Sequence, residues 1–235
     1  MLKYKLINLN ITAWLVVLIA VAVISCQKTK TEIVVTKPAP KAFSNIVILG
    51  NSITLIPPMG GEWPYNWGMA ASAADSDYVH RLTAKFKALN ANSKVTIQNI
   101  NAYEGDFENF DLDGHFKTLN DSKPDLLIIR IGENLNQVPF NEVAFAKSYA
   151  NLINYFKRDN SNLQILSVGP LWPRPDLERI MSITPYQTLS QFCFDPSNYA
   201  YGKFIDPGIQ AHPGDKGMRV IADSIWSGVQ RLKHI

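Results

Sequence analysis

Two hydrophobic patterns alternate along the chain. Residues 45–49 (NIVIL) form an unbroken, β-branched apolar run that ends at Gly50, the pattern of a strand buried on both faces. Residues 77–89 (DYVHRLTAKFKAL) instead space Val79, Leu82, Phe86 and Leu89 three to four apart, which predicts an amphipathic helix with Asp75, Ser76 or Asp77 available as its N-cap. Residues 94–100 alternate around Val95, Ile97 and Ile100, and residues 125–131 (DLLIIRI) are a second apolar run closed by Gly132; these predict strands two and three. Residues 141–158 carry Val143, Phe145, Tyr149, Leu152, Ile153 and Phe156 on a helical period. Residues 163–168 predict strand four ahead of Gly169-Pro170, and residues 201–205 predict a short fifth strand. Residues 216–232 line up Met218, Ile221, Ala222, Ile225, Val229 and Leu232 on one face of a final helix. Strands separated by helix-length segments need crossover connections, which are right-handed and cover both faces of a mostly parallel sheet. The predicted fold class is α/β, a three-layer sandwich around a central, mostly parallel five-stranded sheet.

The N-terminal segment fits neither pattern. Lys3 and Lys5 precede an apolar run from Ile11 to Ile24, and Ser25-Cys26 stands where that run gives way to a polar stretch rich in Lys and Thr. This is the layout of a secretory signal, and the run is shorter than the roughly 18–20 residues a bilayer span requires. Val23-Ile24-Ser25-Cys26 resembles a bacterial lipobox, which implies lipidation of the Cys26 thiol and cleavage before it. The expected organisation is a lipoprotein signal peptide at 1–25, a flexible tether at 26–43 in which Pro38 and Pro40 favour extended backbone, and one domain at 44–235. Gln27 rather than Asp follows the cysteine, which resembles outer-membrane sorting. The expected address is the bacterial cell envelope, with the membrane touched only through the lipid anchor. With Cys26 lipidated, Cys193 has no disulfide partner, and its place between Phe192 and Phe194 suits a small buried hydrophobe.

Composition narrows the function classes. With 46% hydrophobic and 18% charged residues the chain has the make-up of a packed domain and not of a disordered or fibrous one. The formal charge of +3 falls to +1 when Lys3 and Lys5 are set aside, and no basic run is present, so a nucleic-acid partner is not expected. There is no glycine-rich phosphate loop and no Cys/His cluster at metal spacing, so no cofactor and no metal are expected.

In an open parallel sheet, ligands bind beyond the carboxyl ends of the strands. The residues just past strands one, two, three and five include Ser52, Gly105, Asn134 and His212. Taken one at a time they are ordinary turn or structural residues, and taken together they form a hydrolase constellation. Gly50-Asn51-Ser52-Ile53-Thr54 resembles the G-D-S block of the SGNH (GDSL) hydrolases, with Asn in place of Asp. Residues 99–106 (NINAYEGD) resemble the second block through Gly105, Gly132-Glu133-Asn134 the G-x-N of the third, and residues 212–218 (HPGDKGM) the block around the histidine. The similarity spans about residues 46–225 in the family's order, and it implies a flavodoxin-like sheet. By that resemblance Ser52 is the nucleophile and His212 its base, while the N–H groups of Ser52 and Gly105 and the amide of Asn134 hold the oxyanion. The roles are chemically coherent. A serine hydroxyl needs a base within hydrogen-bond reach, an imidazole titrates near neutral pH, and a tetrahedral oxyanion needs donors fixed in advance.

The sequence departs from the pattern in two places. Asn51 replaces Asp, and Ile209 stands where members usually carry an Asp three residues before the histidine. Asp206, a backbone carbonyl or another acid is left to orient the ring. Thr54 occupies the place of the second glycine of a G-x-S-x-G elbow, which separates this chain from the α/β-hydrolase pattern. His80 on the first helix, His115 in a polar loop region and the terminal His234 are read as structural or surface residues. Glu133, next to Asn134, is expected by side-chain alternation to point elsewhere than the site.

Substrate choice falls to loops. Residues 55–72 mix Trp63, Tyr65 and Trp67 with Gly and Pro, and the loop after strand four adds Trp172-Pro173-Arg174. Aromatic rings at a site stack on sugar rings, or else serve as loop packing. The expected partner is a small-molecule or glycan ester, most simply an O-acetylated carbohydrate. The alternative is a glycan-binding surface lipoprotein on a decayed hydrolase scaffold.

Overall fold

A computed structural model describes residues 42–135 and 139–232, which fall within the compact unit Pro40–Ile235. The signal peptide, Cys26 and nearly all of the tether lie outside the described residues, as does His234. Strands β1 (Asn45–Gly50), β2 (Lys94–Asn99), β3 (Leu126–Arg130), β4 (Gln164–Val168) and β5 (Tyr186–Gln187) pair in the order β2-β1-β3-β4-β5, every pair parallel. The order reverses between β1 and β3, and in such a doubly wound sheet the crevice beyond these two carboxyl ends is the place where ligands bind. Register aligns Gly50 with Asn99 on one side and with Arg130 on the other, so the loops that follow leave from one level.

Successive strand residues face opposite layers. Ile46, Ile48, Leu126, Ile128, Leu166 and Val168 pack under α1 (Tyr78–Leu89) and α7 (Asp215–Arg231). Val47, Leu49, Leu127, Ile129 and Ile165 pack against α2 (Asn101–Gly105), α3 (Leu112–Asp121), α4 (Glu142–Lys157) and α5 (Pro175–Met181). The Asp77 side chain caps α1, accepting from His80 N at 2.7 Å, and Asn141 caps α4 through Ala144 N at 3.1 Å. On α4 the core face is Phe145, Tyr149, Leu152 and Phe156, while Val143 points outward at 81% exposure.

The fifth strand lies elsewhere than the pattern predicts. Residues 201–205 form a turn in which Gly202 adopts φ 75° and the Gln210 side chain bonds Gly202 N and Phe204 O. The strand is the two-residue Tyr186–Gln187, paired to Ser167 and Val168. It is polar, brief and preceded by Pro185, so it carries no apolar run, whereas the Tyr-Gly-Lys-Phe-Ile segment alternates without being a strand. His212 therefore follows a short helix, α6 (Pro207–Gln210), and not a strand end. His115 sits on α3, stacked on Phe110, and not in a loop.

Candidate active site

β1 ends on Gly50, where a side chain would lie 1.9 Å from Thr54 Oγ1 and 2.9 Å from the Arg130 carbonyl. Only glycine lets the chain pass here. Asn51 is fully buried and shapes the turn: its carbonyl accepts from Thr54 N and Leu55 N, and its side-chain oxygen from Ile53 N at 3.2 Å. Ser52 rides on this turn, half-buried, at the carboxyl end of the central strand.

The Ser52 hydroxyl lies 2.8 Å from His212 Nε2, joining residues 160 positions apart. His212 Nδ1 is 2.7 Å from the Gly208 carbonyl. A carbonyl only accepts, so Nδ1 carries the proton, and Nε2 is left to accept from the serine. Asp206, the carboxylate considered for this role, does something else. It caps α6, accepting from Gly208 N at 2.7 Å, and so fixes the carbonyl that orients the ring. Glu62, in the loop after Ser52, in turn accepts from Ile205 N and from Asp206 N at 2.7 Å. Burial lowers the His212 pKa from its ordinary value, and the bond to the Gly208 carbonyl opposes that shift.

Beneath Ser52 lies a polar network. Arg130, wholly buried at the end of β3, donates to Asn51 Oδ1 at 3.0 Å and pairs with the Glu133 carboxylate. Asn51 Nδ2 donates to Glu133 at 2.7 Å, and Leu171 N donates to it at 2.9 Å. Glu133 thus points into the site, contrary to the alternation argument. Gly132, at φ 131° and crowded by Pro170 and Leu177, breaks the strand first, so alternation does not continue past it.

Ser52, Ile53, Glu133, Asn134, Trp172, Ala211 and His212 line a hollow of about 160 Å³. Gly105 closes α2 and lines a separate hollow with Asp106, Phe107, Glu108 and Asn109. The structure therefore brings Ser52, Asn134 and His212 to one hollow and Gly105 to another. The α2 residues that reach Asn134 are Asn101 and the buried Glu104, 3.2 and 2.9 Å from its Nδ2. Burial, with the Glu133 charge adding to it, raises the Glu104 pKa against the pull of three N–H donors. Among the aromatics, Trp63 is buried and packs edge-on to Tyr65, Trp67 and Phe204, so it is loop core. Trp172 alone of them lines the hollow. It is 41% exposed and stacked on Tyr199, which is itself stacked on Tyr201.

Arg130 and Glu133 carried one sequence signal that composition hides. A charged residue closing an otherwise apolar central strand has to find a buried partner, and the acid three positions on is within reach. Glu104 carried no such signal.

No protein-family model and no curated protein matches the chain. Solved structures do. A psychrotrophic esterase from Pseudoalteromonas sp. superposes with a TM-score of 0.51 at 16% identity, covering 80% of this chain and 97% of that one. A carbohydrate esterase family 3 protein from Talaromyces cellulolyticus gives 0.52 at 14% identity, over 80% and 97%. A Parabacteroides merdae protein described as a GDSL-like lipase gives 0.53 at 15% identity, over 83% and 99%. At these identities the likeness is one of fold, and with its five-stranded parallel sheet between helical layers the chain has the SGNH (GDSL) hydrolase fold.

Proposed function

We propose that this protein is a serine ester hydrolase that removes short O-acyl groups, most simply acetyl, from carbohydrate. The observation that carries the reading is the 2.8 Å contact between Ser52 Oγ and His212 Nε2, with the tautomer set by the Gly208 carbonyl. In this reading Ser52 Oγ attacks the ester carbonyl carbon as its proton passes to Nε2. The oxyanion that forms faces the Ser52 N–H and the Asn134 amide; the Ser52 N–H has no acceptor among the described residues. Collapse breaks the bond to the alcohol, which leaves with the proton from His212, and water activated by the same ring then hydrolyses the acyl-serine.

The substrate class rests on size and surface. A hollow of about 160 Å³ with a mixed polar lining suits a two- or three-carbon acyl group and not a long chain. Trp172 at its rim, backed by Tyr199, offers an exposed ring for a sugar face. The carbohydrate esterase fold neighbour supports the same reading. Both departures from the family pattern have a physical explanation compatible with activity: Asn51 serves Glu133, and the Gly208 carbonyl serves His212.

The test is hydrolysis of a short-chain ester by protein lacking residues 1–25, compared with Ser52→Ala. Turnover that disappears in the variant is expected; equal rates in both would replace the hydrolase by a glycan-binding role. The cell-envelope address is part of the proposal. It rests on Cys26, and Cys26→Ala is expected to release the protein from the membrane fraction.

A further inference from the structure

Glu104 is a carboxylate with no exposure to water, placed by α2 beside the third strand-end loop. Buried charges are rare without a purpose or a full set of partners. Three N–H donors of that loop reach its oxygens: Oε1 accepts from Gly132 N at 2.6 Å and Asn134 N at 3.3 Å, and Oε2 from Asn134 Nδ2 at 2.9 Å. Donors aimed at both oxygens call for the ionised carboxylate, which only accepts, so this set decides which way round the Asn134 amide lies. Turned over, the amide would set its oxygen against the carboxylate. The other Nδ2 hydrogen faces Asn101 Oδ1 at 3.2 Å, a longer contact that an oxyanion carrying full charge displaces.

We propose that Glu104 is a positioning residue that fixes which way round the Asn134 amide lies, holding one Nδ2 hydrogen so that the other has only to pass from Asn101 Oδ1 to the oxyanion as charge develops. The proposal rests on the reading of Ser52 as nucleophile and Asn134 as oxyanion donor. It assigns to the second sequence block a role beyond its glycine. A donor oriented in advance is effective because little reorganisation is left as charge develops. Gln at position 104 has the same shape but turns one acceptor into a donor, so the loop N–H groups and the Asn134 amide cannot both keep their acceptor.

The experiment is a double-mutant cycle of Glu104→Gln and Asn134→Ala on a short-chain ester, with Ser52→Ala as background. Asn134→Ala should lower kcat about 10²- to 10³-fold, as loss of one oxyanion donor does. Glu104→Gln should lower kcat about 10- to 100-fold, the worth of a hydrogen bond to a charged group, with KM within about threefold. In the Asn134→Ala background the same change should cost less than about twofold, because the group it acts through is gone. Equal losses in both backgrounds, or no loss in either, overturn the proposal while Ser52-dependent turnover still stands. Turnover that persists in Ser52→Ala overturns the hydrolase reading and this proposal together. Should Glu104→Gln not fold, the parent protein supplies a second readout, the NMR signal of the Asn134 side-chain amide, identified by its loss in Asn134→Ala. Hydrogen exchange slower than that of exposed amides is expected, and exchange at their rate overturns the proposal.

Discussion

The side-chain amide of Asn51 donates to the Glu133 carboxylate at 2.7 Å, across 82 positions of sequence, directly beneath the serine turn. The bond explains why an amide stands where the family motif has an acid. Glu133 already supplies the negative charge for Arg130, and a second carboxylate facing it would force one of the two to protonate or move.

Asn51→Asp is therefore expected to destabilise the fold at neutral pH by about 1–3 kcal/mol, the cost of leaving buried groups badly paired. The loss should shrink toward pH 5, where one acid can take a proton, and on adding Glu133→Gln. Thermal unfolding at pH 5 and pH 8 checks this. An Asn51→Asp variant as stable as its parent at pH 8 would show that Glu133 does not dictate the amide.

The orientation of His212 gives a second expectation. If a carboxylate held the ring, its removal would cost up to about 10⁴-fold in kcat. Here the Gly208 carbonyl holds it and Asp206 only caps α6. Asp206→Ala should lower kcat less than about tenfold while weakening the local helix by about 1 kcal/mol, the usual value of an N-cap. Steady-state kinetics with a melting curve separates the two roles, and a loss of three orders of magnitude or more would return the orienting role to the carboxylate.

How much of this was legible in the chain varies with what holds each part in place. β1, β3 and β4 were plain because a strand covered on both faces has to be apolar throughout, and α1, α4 and α7 because a helix on a sheet has to keep one apolar face. α3 was not, since only Phe116 and Leu119 mark its buried face and Gly114 interrupts it, while Asp111 caps it through Gly114 N at 3.0 Å. β5 has no apolar run and is held by its pairing to β4 and by the bonds of the Gln187 side chain to Ser224 and Arg231. At the site, Ser52 and Asn134 follow from motif and strand-end logic and His212 from motif alone, and the structure gathers the three around one hollow. Glu133 follows only as an acid within reach of Arg130, not in its direction, and Glu104 does not follow at all. The direction of the first depends on the positive φ of Gly132, and the second is defined only by a loop brought to it across the sheet.

The pH dependence of turnover follows from the half-buried imidazole. Burial disfavours the imidazolium, so the folded ring takes up its proton below the ordinary value of about 6.5. kcat/KM should hold its plateau down to about that pH and then fall as a single group with its midpoint below 6.5. Stability shifts in the same direction. The unfolded chain binds this proton more readily, so the ring's contribution is whole above about pH 6.5 and is lost as pH falls through the folded value. An acid limb centred above 6.5, or none, would remove His212 as the base.

Trp172 provides the test of substrate class. Its indole borders the same hollow as Ser52 and His212, is backed by Tyr199 at 6.0 Å between ring centres, and keeps 41% of its surface in water. Tyr199 is itself fixed, its hydroxyl bonded to the Cys193 carbonyl and its backbone bridged to Pro213 beside His212. A ring held this firmly loses little freedom when a flat ligand face settles on it. Trp172→Ala should lower kcat/KM on an acetylated oligosaccharide about 2- to 12-fold, the range an aromatic stacking contact spans. Ethyl acetate, which has no ring to stack, should be hydrolysed as before; an aryl ester is unsuitable because its own ring would use the indole. Equal losses on both esters would make Trp172 a wall of the acyl pocket, and no loss on the oligosaccharide would remove the sugar platform from the reading.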